Sequence, residues 1–161
     1  MKNEDDQAYP VDGVDGQGAT FASPQEPSSL AIQIEAAVRE KQPRWRQVSR
    51  IVSKDGRYVS YRWKLRTSSV ELLLVFSASP ELAIDRFNTL PIDLELSGLA
   101  MKESKTDLRL GDQVLSWNHR YDRRTLGILF RKGRVVANVS GTRKDDVELF
   151  ASRIADLLPP A

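Results

Sequence analysis

The chain has 161 residues, 40% hydrophobic and 29% charged, which suits one globular domain and excludes a collagenous, wholly disordered or membrane-spanning chain. Its 24 basic and 22 acidic side chains are unevenly placed: residues 1–27 set one Lys against six acids, a net −5, and the remainder carries +7. With no Cys, disulfides, thiolate zinc sites, thiol nucleophiles and iron–sulfur clusters are ruled out together.

Residues 1–27 are rich in Gly, Pro, Ser and Gln, and only Tyr9 and Phe21 offer real apolar area. Such a segment cannot offset its ordering entropy, so a disordered acidic tail is expected ahead of a single α+β domain over 28–161. The basic and apolar regions of a signal peptide are not found, nor is a lipidation motif, and the expected compartment is the cytoplasm. A first helix is predicted from Ser28 or Ser29, with Leu30, Ile34, Ala37 and Val38 at helical spacing and Pro43 as its stop. Lys54-Asp55-Gly56-Arg57 then reads as a hairpin with Asp-Gly at the two positions of a type I′ turn. That turn pairs Val52 with Val59, Val48 with Trp63 and Ser49 with Arg62. Val48 and Val52 then share a face with Val59, Tyr61, Trp63 and Leu65, and the polar residues share the other.

A third strand, Val70 to Phe76, is apolar on both faces except at Glu71 and belongs in the middle of a sheet. Ser79-Pro80-Glu81 is a helix start, with apolar Leu82, Ala83, Phe87 and Leu90, and Pro91 is expected to close it. Alternation of Ile92, Leu94 and Leu96 suggests a short strand, followed by a polar loop from Met101 to Asp107. Val114 to His119 reads as a strand. Thr125–Phe130 and Arg134–Val139 pair around Lys132-Gly133, setting Leu126, Ile128 and Phe130 against Val139, Ala137 and Val135. A last helix from Lys144 aligns Val147, Phe150, Ala151, Ile154 and Leu157, with acids in its first turns to suit the helix dipole. The fold class is therefore α+β, a mostly antiparallel sheet with helices on both faces.

Leu110-Gly111-Asp112 leads into Val114-Leu115-Ser116-Trp117, and Phe130-Arg131-Lys132-Gly133-Arg134-Val135-Val136 precedes Val139-Ser140-Gly141 and the terminal helix. Over roughly residues 79–158 this resembles the closing segment of PsbP-like bacterial proteins and LpqN-type lipoproteins. The resemblance implies an α/β/α sandwich used as a binding or assembly scaffold, often in exported proteins. It implies no catalytic or ligand residue, and the chain departs from it in having neither signal peptide nor lipobox Cys.

Enzymatic signatures are sparse. His119 is the only histidine, so a multi-histidine metal site is excluded. Asp112 and Asp122 lie near it in sequence, but Arg120, Arg123 and Arg124 crowd the same stretch and disfavour an imidazolium. No serine sits in a nucleophile elbow, and no phosphate loop or EF-hand is present. No catalytic residue, cofactor or metal is expected. The feature above background is basic: residues 39–66 hold ten Lys or Arg against Glu40 and Asp55. Arg44, Trp45, Arg46, Tyr58, Arg62, Lys64 and Arg66 form the candidate binding surface, with Trp45 expected opposite Arg66. Such a ribbon suits a protein or another anionic macromolecule, a nucleic acid whose bases stack on the aromatics, or an anionic membrane surface. A solvated sheet edge guarded by cations is the plainer reading of the same residues. The expected function is a non-catalytic binding or assembly scaffold with this hairpin as contact surface. Polyanion or nucleic-acid binding is the alternative, and a small-molecule enzyme near His119 the third.

Overall fold

The computed structural model describes residues 27–98 and 100–160, so the expected acidic tail falls, but for Pro27, outside the described residues. The elements, in chain order, are α1 (Pro27–Lys41), β1 (Arg46–Val52), β2 (Tyr58–Leu65), β3 (Ser68–Phe76), α2 (Pro80–Leu96), β4 (Met101–Ser104), β5 (Gln113–His119), β6 (Leu126–Lys132), β7 (Val135–Gly141) and α3 (Lys144–Leu157). The strands form one antiparallel sheet in the order β1-β2-β3-β7-β6-β5-β4. Two meanders, β1-β2-β3 and β4-β5-β6-β7, thus meet at a single β3–β7 seam. The α+β class with helices on both faces is the one observed.

Each face of the sheet has its own core. On one face, Leu30, Ile34 and Val38 of α1 and Val147, Phe150 and Ile154 of α3 pack on Tyr61, Trp63, Leu72, Phe130 and Val139. The Trp63 ring stacks on Tyr61 with centroids 5.1 Å apart and lies 5.2 Å from Phe150. Burial of one such side chain is worth about 1.5–3 kcal/mol. On the other face, Ala83, Phe87 and Leu90 of α2 cover Val75, Leu129 and Val136. Both tryptophans read as core, Trp63 and Trp117, are buried.

Departures from the expected pairing have local causes. The first hairpin turns through four residues rather than two: Gly56 N–H donates to Ser53 O at 3.0 Å, and Gly56 takes φ +73°. This is a type I turn followed by a left-handed glycine, not a type I′ turn. It preserves the expected Val52–Val59 and Ser49–Arg62 pairs because the loop is centred on the same bond. A bulge between Gln47 and Ser49 then sets Gln47, not Val48, opposite Trp63, and Val48 is left exposed. In the last hairpin the turn is Gly133-Arg134, so Ile128 pairs with Val139 and Phe130 with Ala137. That is two residues from the expected register, which keeps every side chain on its expected face.

Ser79 caps α2 as expected, its Oγ accepting from Leu82 N–H at 3.1 Å. Pro91 does not close that helix, which runs on to Leu96. The expected Ile92–Leu96 strand is therefore the last turn of α2, and the strand forms later, at Met101–Ser104, where a loop was expected. Its pairing with β5 supplies ladder bonds that four largely polar residues do not advertise by pattern. Helix α1 also begins a residue early, at Pro27, with a proline in its first turn.

Candidate functional site

Topology sorts the expected binding residues into three places. Helix α1 ends at Lys41, β1 starts at Arg46, and Arg46 pairs with Lys64 across β1 and β2. Leu65 pairs with Ser68, so Arg66 and Thr67 form the tight turn beside them. Arg44, Arg46, Lys64 and Arg66 therefore gather at one end of the sheet, next to Arg39 and Lys41 in the last turn of α1. None of these six forms a salt bridge among the described residues. Arg66 adopts φ +58°, the left-handed region that disfavours a side chain.

The other three expected residues are elsewhere. Trp45 does not stand opposite Arg66; its ring packs edge-on against Phe150 with centroids 5.1 Å apart, on the rim of the core. Tyr58 lies at the far end of β2, with the Arg86 guanidinium 5.7 Å above its ring. Arg62 is neutralised by Glu71, its cross-strand partner, at 2.9 Å. Arg50, on the helix-covered side, reaches Glu35 of α1 at 2.7 Å, and the Tyr61 hydroxyl donates to the same carboxylate at 3.2 Å. Burial first, and that carboxylate second, push the Tyr61 phenol well above its ordinary range.

Arg120, Arg123 and Arg124, which the sequence sets only beside His119, belong to the same end of the molecule. Strand β7 ends there at Gly141 and β5 at His119, so Arg143, Lys144, Arg120, Arg123 and Arg124 share that end with Arg66. Four strand-to-strand steps, about 19 Å, separate β2 from β5. Arg120 donates to Met101 O at 3.0 Å and approaches the Glu95 carboxylate at 3.5 Å. The residues beside this pair, Leu96 and Tyr121, are 82% and 79% exposed. An aromatic inside an arginine-rich turn was the available signal for Tyr121. Leu96 gave none, because its place on α2 depended on that helix passing Pro91.

His119 sits at the same end, where its Nδ1 accepts the backbone N–H groups of Asp122 at 2.8 Å and Tyr121 at 3.2 Å. The Asp122 carboxylate is occupied by the Arg124 N–H and the Thr125 hydroxyl, which hold it below the usual carboxylate range. Asp112 lies at the opposite end. Its carboxylate accepts from buried Arg131 at 3.1 Å and from Gly133 N–H at 2.8 Å, and Arg131 also donates to Gln113 and to Gly133 O. The Gly-Asp and Phe-Arg-Lys-Gly phrases behind the family resemblance thus form a clamp on the β6–β7 turn. Among the described residues no three metal-ligating side chains converge, and no helix is long and apolar enough to cross a membrane.

No family model matches the chain, and no curated protein does. Two solved structures resemble it. A GTP-binding regulator from Thermotoga maritima is 16% identical, with 80% of this chain and 88% of that one covered at a TM-score of 0.43. The extracellular domain of PknH from Mycobacterium tuberculosis is 9% identical, with 80% and 92% covered at a TM-score of 0.46. Likeness at this level says nothing about the chemistry of the cationic end.

Proposed function

We propose that this chain is a non-catalytic binding domain that contacts an acidic protein through the cationic end of its sheet. The observation that carries the reading is the gathering there of eight cations, Arg123 and Arg124 with the six at the β1–β2 end, that form no salt bridge among the described residues, at the same end as the exposed Leu96 and Tyr121. Arginine, an aromatic ring and an aliphatic side chain together have the composition of a protein interface, where apolar contact gives affinity and charge gives orientation and on-rate. A nucleic acid is favoured less. Successive bases need several stacking platforms near the cations, and Tyr121 stands there without Trp45, which is engaged by Phe150, or Tyr58, which lies at the other end under Arg86. Catalysis at His119 is disfavoured because its Nδ1 serves the turn.

The test is fluorescence anisotropy of a labelled acidic peptide containing Leu and Phe, titrated with the full chain across a range of salt. Binding should weaken steeply with ionic strength. Reversing Lys64 and Arg66, or Arg123 and Arg124, to Glu should cost about tenfold or more in Kd, and Tyr121→Ala several-fold. Unchanged binding in both reversed pairs refutes the reading. Tighter binding of a single-stranded oligothymidylate, or of phosphatidylserine vesicles, would replace the acidic protein with that partner.

A further inference from the structure

Helix α2 covers only part of its face of the sheet. Its apolar stripe ends on β3, β7 and β6, and beyond Leu94 the sheet lies open toward β2. The result is a cleft of about 400 Å³, with Ser60, Glu71, Leu73, Asn138 and Ser140 on its floor and Leu94 as a wall. That volume lies within the range of small-ligand sites.

One floor residue is built in an unusual way. Asn138 is 6% exposed, on a central strand, where an apolar side chain would pack. Its Oδ1 accepts the indole N–H of buried Trp117 at 2.9 Å. An indole nitrogen only donates, so this bond fixes which end of the carboxamide is oxygen and leaves Nδ2 as the free end. Nδ2 has no partner among the described residues, and Asn138 lines the cleft. Trp117 in turn lies against Gly127, where any Cβ would collide with its ring. A rigid donor is thereby presented at the floor of an open cavity. Diagonal to it across β3 and β7 is Glu71, an acceptor steadied by Arg62.

We propose that this cleft binds a small polyhydroxylated ligand, a mono- or disaccharide. A hydroxyl both donates and accepts, so adjacent hydroxyls can take the Asn138 N–H and give to the Glu71 carboxylate, with Ser60 and Ser140 completing the set. Leu73 and Leu94 offer apolar contact to the C–H face of a sugar ring. A carboxylate or phosphate ligand fits less well, because Glu71 would oppose it.

The full chain, labelled with nitrogen-15, is titrated with glucose, galactose, N-acetylglucosamine and maltose, each up to about 100 mM, well above an ordinary weak Kd. At least one sugar should move the Asn138 side-chain amide and the Trp117 indole resonances saturably. Glu71→Gln, at an exposed position that leaves the core intact, should weaken that sugar about tenfold. Asn138→Asp keeps the acceptor for Trp117 and removes the donor, and should weaken it as much; if that variant fails to fold, Glu71→Gln decides. No saturable shift with any of the four sugars, or affinities untouched by Glu71→Gln, overturns the proposal.

Discussion

Strands β1 and β6 each run seven residues, yet six residues of β1 are exposed, whereas the five central residues of β6 are buried. The difference follows from position. β6 has neighbours on both edges, and α3 and α2 pack on its two faces; β1 is an edge strand whose second face has no helix over it. A buried strand is constrained at every side chain by close packing. At the edge, Ile51 and Val52 stay 65% and 47% exposed, and a bulge with flanking arginines interrupts the bare ladder. Packing holds β6 along its whole length, whereas β1 leaves most of its length to solvent.

This contrast can be broken by substitution. Phe130→Ala on β6 should cost about 3–5 kcal/mol in a denaturant titration, and Trp63→Ala, on the same face covered by α1 and α3, a similar amount. A near-neutral result at either place would mean that the core is not continuous across the two halves. Asp112→Ala should cost about 1–3 kcal/mol, since it strips buried Arg131 and the Gly133 N–H of a shared acceptor. Arg66→Gly should act in the opposite sense. Relief of the left-handed backbone should raise stability by about 0.5–1 kcal/mol, while loss of the cation weakens the acidic peptide several-fold.

A pH series sharpens the boundary between the halves, where Glu35 ties α1 to the hairpin. Tyr61 keeps its proton in the folded protein above the pH, about 10, at which an unfolded tyrosine ionises. In that window the unfolded chain binds fewer protons, so stability falls as pH rises through 10 and above. Tyr61→Phe should remove that component of the alkaline slope while costing about 1 kcal/mol near neutrality for the lost bond to Glu35. Smallest of all, Ile51→Ala on β1 should stay within about 0.5 kcal/mol of the parent.

Much of the fold was legible because its strongest signals are local. Asp55-Gly56 placed the first hairpin, though not its turn type, Ser79-Pro80 started α2, and the stripe from Val147 to Ile154 placed α3. What failed depended on partners distant in sequence. Pro91 sits in a helix that packing on Val75, Leu129 and Val136 carries past it, and β4 exists because β5 offers it a ladder. The candidate site was half legible. Charge counting found Arg44, Arg46, Lys64 and Arg66, but only the sheet order brings Arg123, Arg124 and Tyr121 to the same end. The sandwich itself decided that Trp45 belongs with Phe150.

The β3–β7 seam has a consequence for how quickly the native state is reached. Every other strand pair joins neighbours along the chain, which can meet early at small entropic cost, whereas the seam unites Phe76 with Val135 and Val70 with Gly141. The two meanders can begin to form separately, but neither core closes until that one non-local ladder zips. The rate-limiting barrier should therefore involve Leu72, Leu74, Ala137 and Val139, and truncations there should slow refolding, whereas changes in β1 should mainly hasten unfolding.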